Sequence, residues 1–212
     1  MKNAVQTVEV REAILDATDE FLARYGYKKT TIDNLAQAVG IGKGSVYLHF
    51  SRKEEIALSH IDRIIERLIV ELRIIAKKKI PSEERLRQML LMRVLHRFDS
   101  VQHYTQSLND LLAALRPKLL ARRKVYFQKE AEIFAVVIAE GQNSEIFDKT
   151  DALETAESLL QATNSLLPFS LTTRELGERD AIEEKTRRLA NMLLNGLRRR
   201  EEGERQKAKV KR

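Results

Sequence analysis

The chain contains no cysteine, so disulfides, thiolate metal sites and a cysteine nucleophile are all excluded, and a reducing compartment such as the cytoplasm suits it. It also has no tryptophan, and only 3 prolines and 8 glycines in 212 residues. Runs of alternating β-branched and aromatic residues are scarce, which argues against strands and for an all-α fold. The N-terminal stretch Met1-Lys2-Asn3-Ala4-Val5-Gln6 lacks a long apolar core, and no later run approaches eighteen uninterrupted apolar residues. A soluble, unexported chain with no membrane association is expected.

What is present is ample for a folded protein. Apolar residues make up 43% of the chain, enough to bury one large core or two modest ones. The formal net charge is +7, and its distribution says more than its size. Residues 1–20 hold Lys2 and Arg11 against Glu9, Glu12, Asp16, Asp19 and Glu20. Residues 24–53 reverse the balance, with Arg24, Lys28, Lys29, Lys43, Arg52 and Lys53 against Asp33 alone. Residues 201–212 read as a basic, disordered tail.

The cationic band coincides with a pattern. Ile32, Leu35, Ala36 and Val39 fall at i, i+3, i+4 and i+7, one apolar helical face, with Thr31 placed to cap it. Gly40 supplies a residue able to take positive φ after the helix, and Ile41 a plug. A second helix from about Gly42 to His49 turns Val46 and Phe50 inward and leaves Lys43, Gly44, Ser45, Tyr47 and His49 outside. Ser51-Arg52-Lys53-Glu54 then predicts a capping box, Ser51 with Glu54, opening a third helix. Two helices across a glycine turn describe a helix-turn-helix whose second helix can enter the major groove of double-stranded DNA.

This segment resembles the N-terminal domain of the tetracycline repressor (TetR) family. The matching residues are Thr30-Thr31, Leu35-Ala36, Ala38-Val39-Gly40-Ile41, Lys43-Gly44-Ser45, Tyr47-Leu48-His49-Phe50 and Lys53-Glu54, preceded by a first-helix stripe of Ile14, Ala17, Phe21 and Tyr25 ending at Gly26. The resemblance implies a ligand-responsive, DNA-binding regulator of transcription, not an enzyme, acting as a repressor on an inverted-repeat operator. Residues 1–50 are expected to form the DNA-binding domain and residues 51–200 a larger helical domain for ligand binding and dimerisation.

Within the reader, Lys43 and Ser45 are placed to touch base edges and Gly44 to permit close approach. Tyr47, His49 and Lys53 are placed for phosphates, with Thr30 or Thr31 presenting a hydroxyl and helix-terminal amide to another.

Downstream, helical spacing predicts one helix from Ser51 to about Ala76, a second from Ser82 to about Phe98, a third stopping near Arg116-Pro117, and a fourth over 118–140 closed by Gly141. Two more, about 150–167 and 179–199, flank Pro168 and a loop over 172–177. Their stripes, Ala152, Ala156, Leu159, Leu160, Thr163 and Leu167 on one and Leu189, Leu193, Gly196 and Leu197 on the other, pack either within the subunit or against a second copy. The resemblance implies the homodimer. It also implies a small-molecule effector of unknown identity, for which His96, Phe98, Tyr104, Leu108, Leu112, Tyr126, Phe127, Phe134 and Asn164 are the candidate lining. Arg93, Arg97, Arg122 and Arg123 suit either an anionic ligand or solvated helix faces.

His96, Asp99 and His103 share a face only if the helix continues through them, and no second helix brings further ligands, so no metal and no cofactor is expected. The run Gly40-Ile41-Gly42-Lys43-Gly44-Ser45 is glycine-rich but lacks the spacing and preceding strand of a phosphate-binding loop.

Overall fold

The computed structural model describes residues 2–101, 107–167 and 173–199. Every regular element among them is helical: α1 (Lys2–Lys29), α2 (Ile32–Val39), α3 (Lys43–Tyr47), α4 (Lys53–Ala76), α5 (Ser82–Val101), α6 (Ser107–Asn143), α7 (Ala152–Asn164), α8 (Thr173–Leu176) and α9 (Arg179–Leu197). None is long and apolar enough to cross a membrane. The basic tail and Pro168 lie outside the described residues.

Two compact units emerge. The first takes the described residues up to Arg67, those of 98–125 and α8. Its core joins Ile14, Leu15 and Ala17 of α1 to Leu35 and Ala36 of α2, Val46 of α3, Phe50 and Ile56. A neighbouring cluster holds Leu22, Tyr27, Ala57, Leu58 and Leu115. The acidic N-terminal segment has a structural use here: Arg63 Nη1 donates to Asp16 Oδ1 at 2.7 Å and to Glu12 Oε2 at 3.1 Å. His60 Nε2 lies 3.3 Å from Asp19 Oδ1. This unit extends past residue 50, because α4 leaves Ile56, Ala57 and Leu58 buried in it.

The second unit comprises residues 68–97, 126–170 and those from Gly177 onward, so far as they are described. Its core gathers Leu68, Leu72 and Ile75 of α4, Leu86, Met89 and Leu90 of α5, Phe134, Val137 and Ile138 of α6, then Phe147, Ala156, Leu159, Leu160, Ala190 and Leu194. Each of the larger side chains among these, from valine to phenylalanine, contributes about 1.5–3 kcal/mol of transfer free energy.

Four details depart from the sequence expectations. α6 runs unbroken through Pro117, which sits on an exposed position where water can replace the missing amide. Gly141 does not end that helix; its lack of a side chain admits the Phe147 ring, whose place a Cβ would occupy. The 172–177 stretch includes a short helix, α8, rather than only loop. Finally, α4 begins at Lys53, and it is Glu55, not Glu54, whose carboxylate accepts from Ser51, from the amide at 2.8 Å and the hydroxyl at 2.7 Å. That contact holds the Glu55 carboxyl below its ordinary pKa.

Candidate nucleic-acid interface

The turn between α2 and α3 is fixed by local chemistry. Thr31 is extended, and its hydroxyl accepts the Asn34 amide at 3.2 Å as the N-cap of α2. Gly40, at φ 73 and ψ 29, ends the helix in the left-handed region, which only glycine enters without steric cost. Ile41 then donates its amide to the Ala36 carbonyl at 3.0 Å and packs on the first core. α3 is shorter than expected, five residues, with the His49 and Phe50 amides both directed to the Val46 carbonyl at 3.0 Å.

Buried Val46 and Phe50 anchor this short helix and thereby aim its other side outward. Lys43 and Gly44 are exposed, Ser45 and His49 half-buried, and Tyr47 is 49% exposed. The structure adds Leu48, 84% exposed beside Tyr47, which sequence reading passed over as a spacer inside the Tyr-x-x-Phe pattern. An apolar side chain so placed suits a thymine methyl group.

Two assignments change. Thr30 is buried, and its hydroxyl donates to the Gly26 carbonyl at 2.8 Å, so it presents nothing outward. The cause is Gly26 itself, whose φ of 78 kinks α1 and leaves that carbonyl to be satisfied by Thr30. Tyr25, which closes the predicted α1 stripe, is exposed. Lys53 donates to the Tyr27 carbonyl at 3.0 Å and lies 4.4 Å over the Tyr27 ring, so its ammonium is already engaged. It retains donors for a phosphate. Lys43 pairs with Asp33, Nζ to Oδ2 at 2.9 Å.

In the body, the described candidate ligand residues are divided between the two units. Phe98 is buried and belongs to the first unit; Phe127, Phe134 and Asn164 belong to the second, where Phe134 is core. His96 and Tyr126 are half-buried. Tyr104 lies outside the described residues, as do His103 and the side chains of Leu108 and Leu112. Among the described residues no group of three side chains is arranged to hold a metal ion.

Of the arginines, Arg93 is buried, Arg97 and Arg122 are half-buried and ion-paired, and Arg123 is exposed. Arg93 donates through Nε to Glu130 Oε2 at 2.6 Å, through Nη1 to Thr163 Oγ1 at 3.0 Å and through Nη2 to Asn164 Oδ1 at 2.9 Å. Arg97 reaches the other Glu130 oxygen. Glu130 escaped the sequence reading because nothing local marks it. Arg122 pairs with Asp62.

The same burial corrects the interface stripe on α7: Ala156, Leu159, Leu160 and Thr163 are covered within their own subunit. Ala152 is half-buried, and on α9 Leu189, Leu193 and Leu197 are half-buried while Gly196 and Met192 are exposed, Met192 by 68%.

A cationic helix-turn-helix with an outward-facing second helix, continued by a helical body, defines a DNA-binding regulator architecture. Residues 14–59 match the family model for bacterial regulatory proteins of the tetR family. That segment is similar to the family's DNA-binding domain, and the match covers the helix-turn-helix and the start of α4. It is 33% identical over 67 residues to the uncharacterized helix-turn-helix transcriptional regulator YhgD of Bacillus subtilis, covering 32% of this chain and 33% of that protein, so the match to this curated relative spans only a third of its length. In fold, it is similar to a transcriptional regulator from Cytophaga hutchinsonii at TM-score 0.74 and 26% identity, covering 89% of this chain and 98% of the other. It is also similar, at TM-score 0.65 and 18% identity, to the regulator FadR of Bacillus subtilis, solved in complex with stearoyl-CoA, covering 88% and 98%.

Proposed function

We propose that this protein is a cytoplasmic, dimeric repressor of transcription that binds an inverted-repeat operator through α3 and is released by a small molecule. The observation that carries the reading is α3 itself, pinned by Val46 and Phe50 and offering Lys43, Gly44, Tyr47 and Leu48 to the outside within a strongly cationic stretch. Thr31, Ser45, His49 and Lys53 complete the contact set, the last through its spare donors. Residues 1–50 form the DNA-binding domain, with Lys53 adding a contact from the start of α4, and residues 51–200 carry effector binding and dimerisation.

The dimer is supported by what α9 leaves uncovered: Met192, Gly196 and the outer edges of Leu189, Leu193 and Leu197, beside Ala152 and the partly exposed Leu153 of α7. Two copies joined there would place two reading helices on successive major grooves. For effector release, α4 is the natural lever, since one continuous helix contributes Ile56 to the first core and Leu72 to the second. An effector that binds one arrangement better shifts the population toward it. The candidates in the body are Phe127, Phe134, Tyr126, His96 and Asn164, and the stearoyl-CoA held by a protein of the same fold makes a small organic molecule the class to screen.

Selection of bound fragments from random duplex DNA at about 150 mM salt, where nonspecific binding is weakened, tests the reading. An enriched inverted repeat is expected. Failure of folded protein to enrich any repeat overturns it.

A further inference from the structure

Asp33 stands where a DNA reader has least use for a carboxylate. It is the one acidic residue among residues 24–53, against six basic ones, and lies in the first turn of α2 with its side chain 65% exposed. Its Oδ2 lies 2.9 Å from Nζ of Lys43, the first residue of α3. Both groups are solvent-facing, and exposed pairs of this kind contribute little to stability. Nor does the fold require the pair: the α2–α3 corner is already set by the Thr31 cap, the left-handed Gly40 and the buried Leu35, Ala36 and Val46. On electrostatic grounds alone the carboxylate lowers affinity for every duplex, because it repels phosphates and neutralises a lysine that would otherwise displace counterions.

We propose that Asp33 is a specificity-determining residue: it holds the Lys43 ammonium off the phosphate backbone and at one position, so that Lys43 adds affinity only where a base edge meets it. This rests on the DNA-reading function proposed above. The donor count fits. An ammonium has three N–H donors; one spent on Asp33 leaves two, the number that the O6 and N7 acceptors of guanine take in the major groove. A phosphate also offers two acceptor oxygens, but its attraction is chiefly to net charge, and it meets a near-neutral pair in place of a free cation. The pairing also preorganises a long, rotamer-rich side chain before DNA arrives, which lowers the ordering cost of the base contact. The hydrogen bond from Lys43 to Asp33, reinforced by the charge of Asp33, raises the lysine pKa, so the group is cationic when it reads.

The test is a double-mutant cycle on the full chain: Asp33→Asn, Lys43→Ala and both together, with circular dichroism melting to verify folding. Dissociation constants are measured for the enriched inverted repeat and for an unrelated duplex of equal length over a series of salt concentrations. Asp33→Asn is expected to tighten binding to the unrelated duplex and steepen its salt dependence, since a freed lysine releases further counterions. The ratio between the two duplexes is expected to fall by about fivefold or more, the low end of what one base contact discriminates. In the Lys43→Ala background the same substitution should leave that ratio unchanged. Equal tightening on both duplexes, or an undiminished effect without Lys43, overturns the proposal and reduces Asp33 to a general surface charge. If the unaltered protein prefers no repeat, the DNA-reading function itself fails, a result distinct from either of those.

Discussion

Arg93 Nε lies 2.6 Å from Glu130 Oε2 at a place where both side chains are sealed from solvent, so the second unit is built around an ion pair rather than a purely apolar centre. Thr163, Asn164 and the Leu160 carbonyl occupy the rest of the Arg93 guanidinium. Removing Glu130 leaves Arg93 charged and buried without its carboxylate partner, which costs about 3–5 kcal/mol. Glu130→Ala should therefore lower the melting temperature on the order of 10 °C for a chain of this size. The paired replacement Arg93→Met with Glu130→Leu should recover more than half of that loss. A single variant that melts within about 2 °C of the unaltered protein would show that the pair is not sealed as described.

The contrast between this pair and the helix-turn-helix explains what was legible in the sequence. Ile32, Leu35, Ala36 and Val39 declare a helix because their spacing is local, and Thr31 and Gly40 mark its ends by side-chain chemistry that needs no distant partner. Arg93 and Glu130 stand 37 positions apart on different helices, and no periodicity links them. For Thr30 one hydrogen bond decides: next to a cap it looks like a second exposed hydroxyl, yet its bond to the Gly26 carbonyl turns it inward. The α7 stripe was correctly apolar, but apolarity alone does not say whether the cover is the same subunit or another.

Two glycines should fail for opposite reasons. Gly40 has open space around it but a φ of 73, so Gly40→Ala is penalised by backbone strain, about 1–2 kcal/mol. Gly141 has no positive φ, but an added methyl would collide with the Phe147 ring and crowd Ser82, an overpacking cost of about 1–3 kcal/mol. Denaturant titrations should separate the cases, because shortening Phe147 to leucine rescues part of the Gly141→Ala loss. The same change should do nothing for Gly40→Ala. Rescue of both would contradict this assignment of causes.

Acid stability should depend on Arg198. Its guanidinium donates to both oxygens of Glu83 at 2.8 and 2.9 Å, tying the start of α5 to the end of α9, and Arg87 adds a third contact. Hydrogen bonding by Arg198 is the main cause that holds the Glu83 carboxyl below 4.5; burial opposes it and Arg87 assists. A carboxyl whose folded pKa is depressed stabilises the fold above its unfolded value and loses that contribution as pH falls through the folded value. Arg198→Ala should thus lower stability most near neutrality, where that contribution is complete, and raise the midpoint of acid unfolding, the two proteins converging at the lowest pH. An unchanged midpoint, followed by circular dichroism across the acid range, would remove Glu83 from the account.

Gly44→Ala distinguishes a reading face from an ordinary helix surface. The position is exposed, its φ is not positive, and a Cβ there meets nothing within 4 Å, so no feature of the chain itself calls for glycine. Alanine is favoured over glycine inside a helix by about 1 kcal/mol, and the variant should melt at the same temperature or slightly above the unaltered protein. If α3 lies against base edges, however, the methyl group stands between helix and groove floor, and affinity for the selected repeat should fall by about tenfold, equivalent to 1.4 kcal/mol. A larger Gly44→Val should lose more binding while remaining folded. Stability and affinity moving in opposite directions would identify Gly44 as part of the contact surface; a variant that melts higher and binds equally well would move the interface elsewhere on the head.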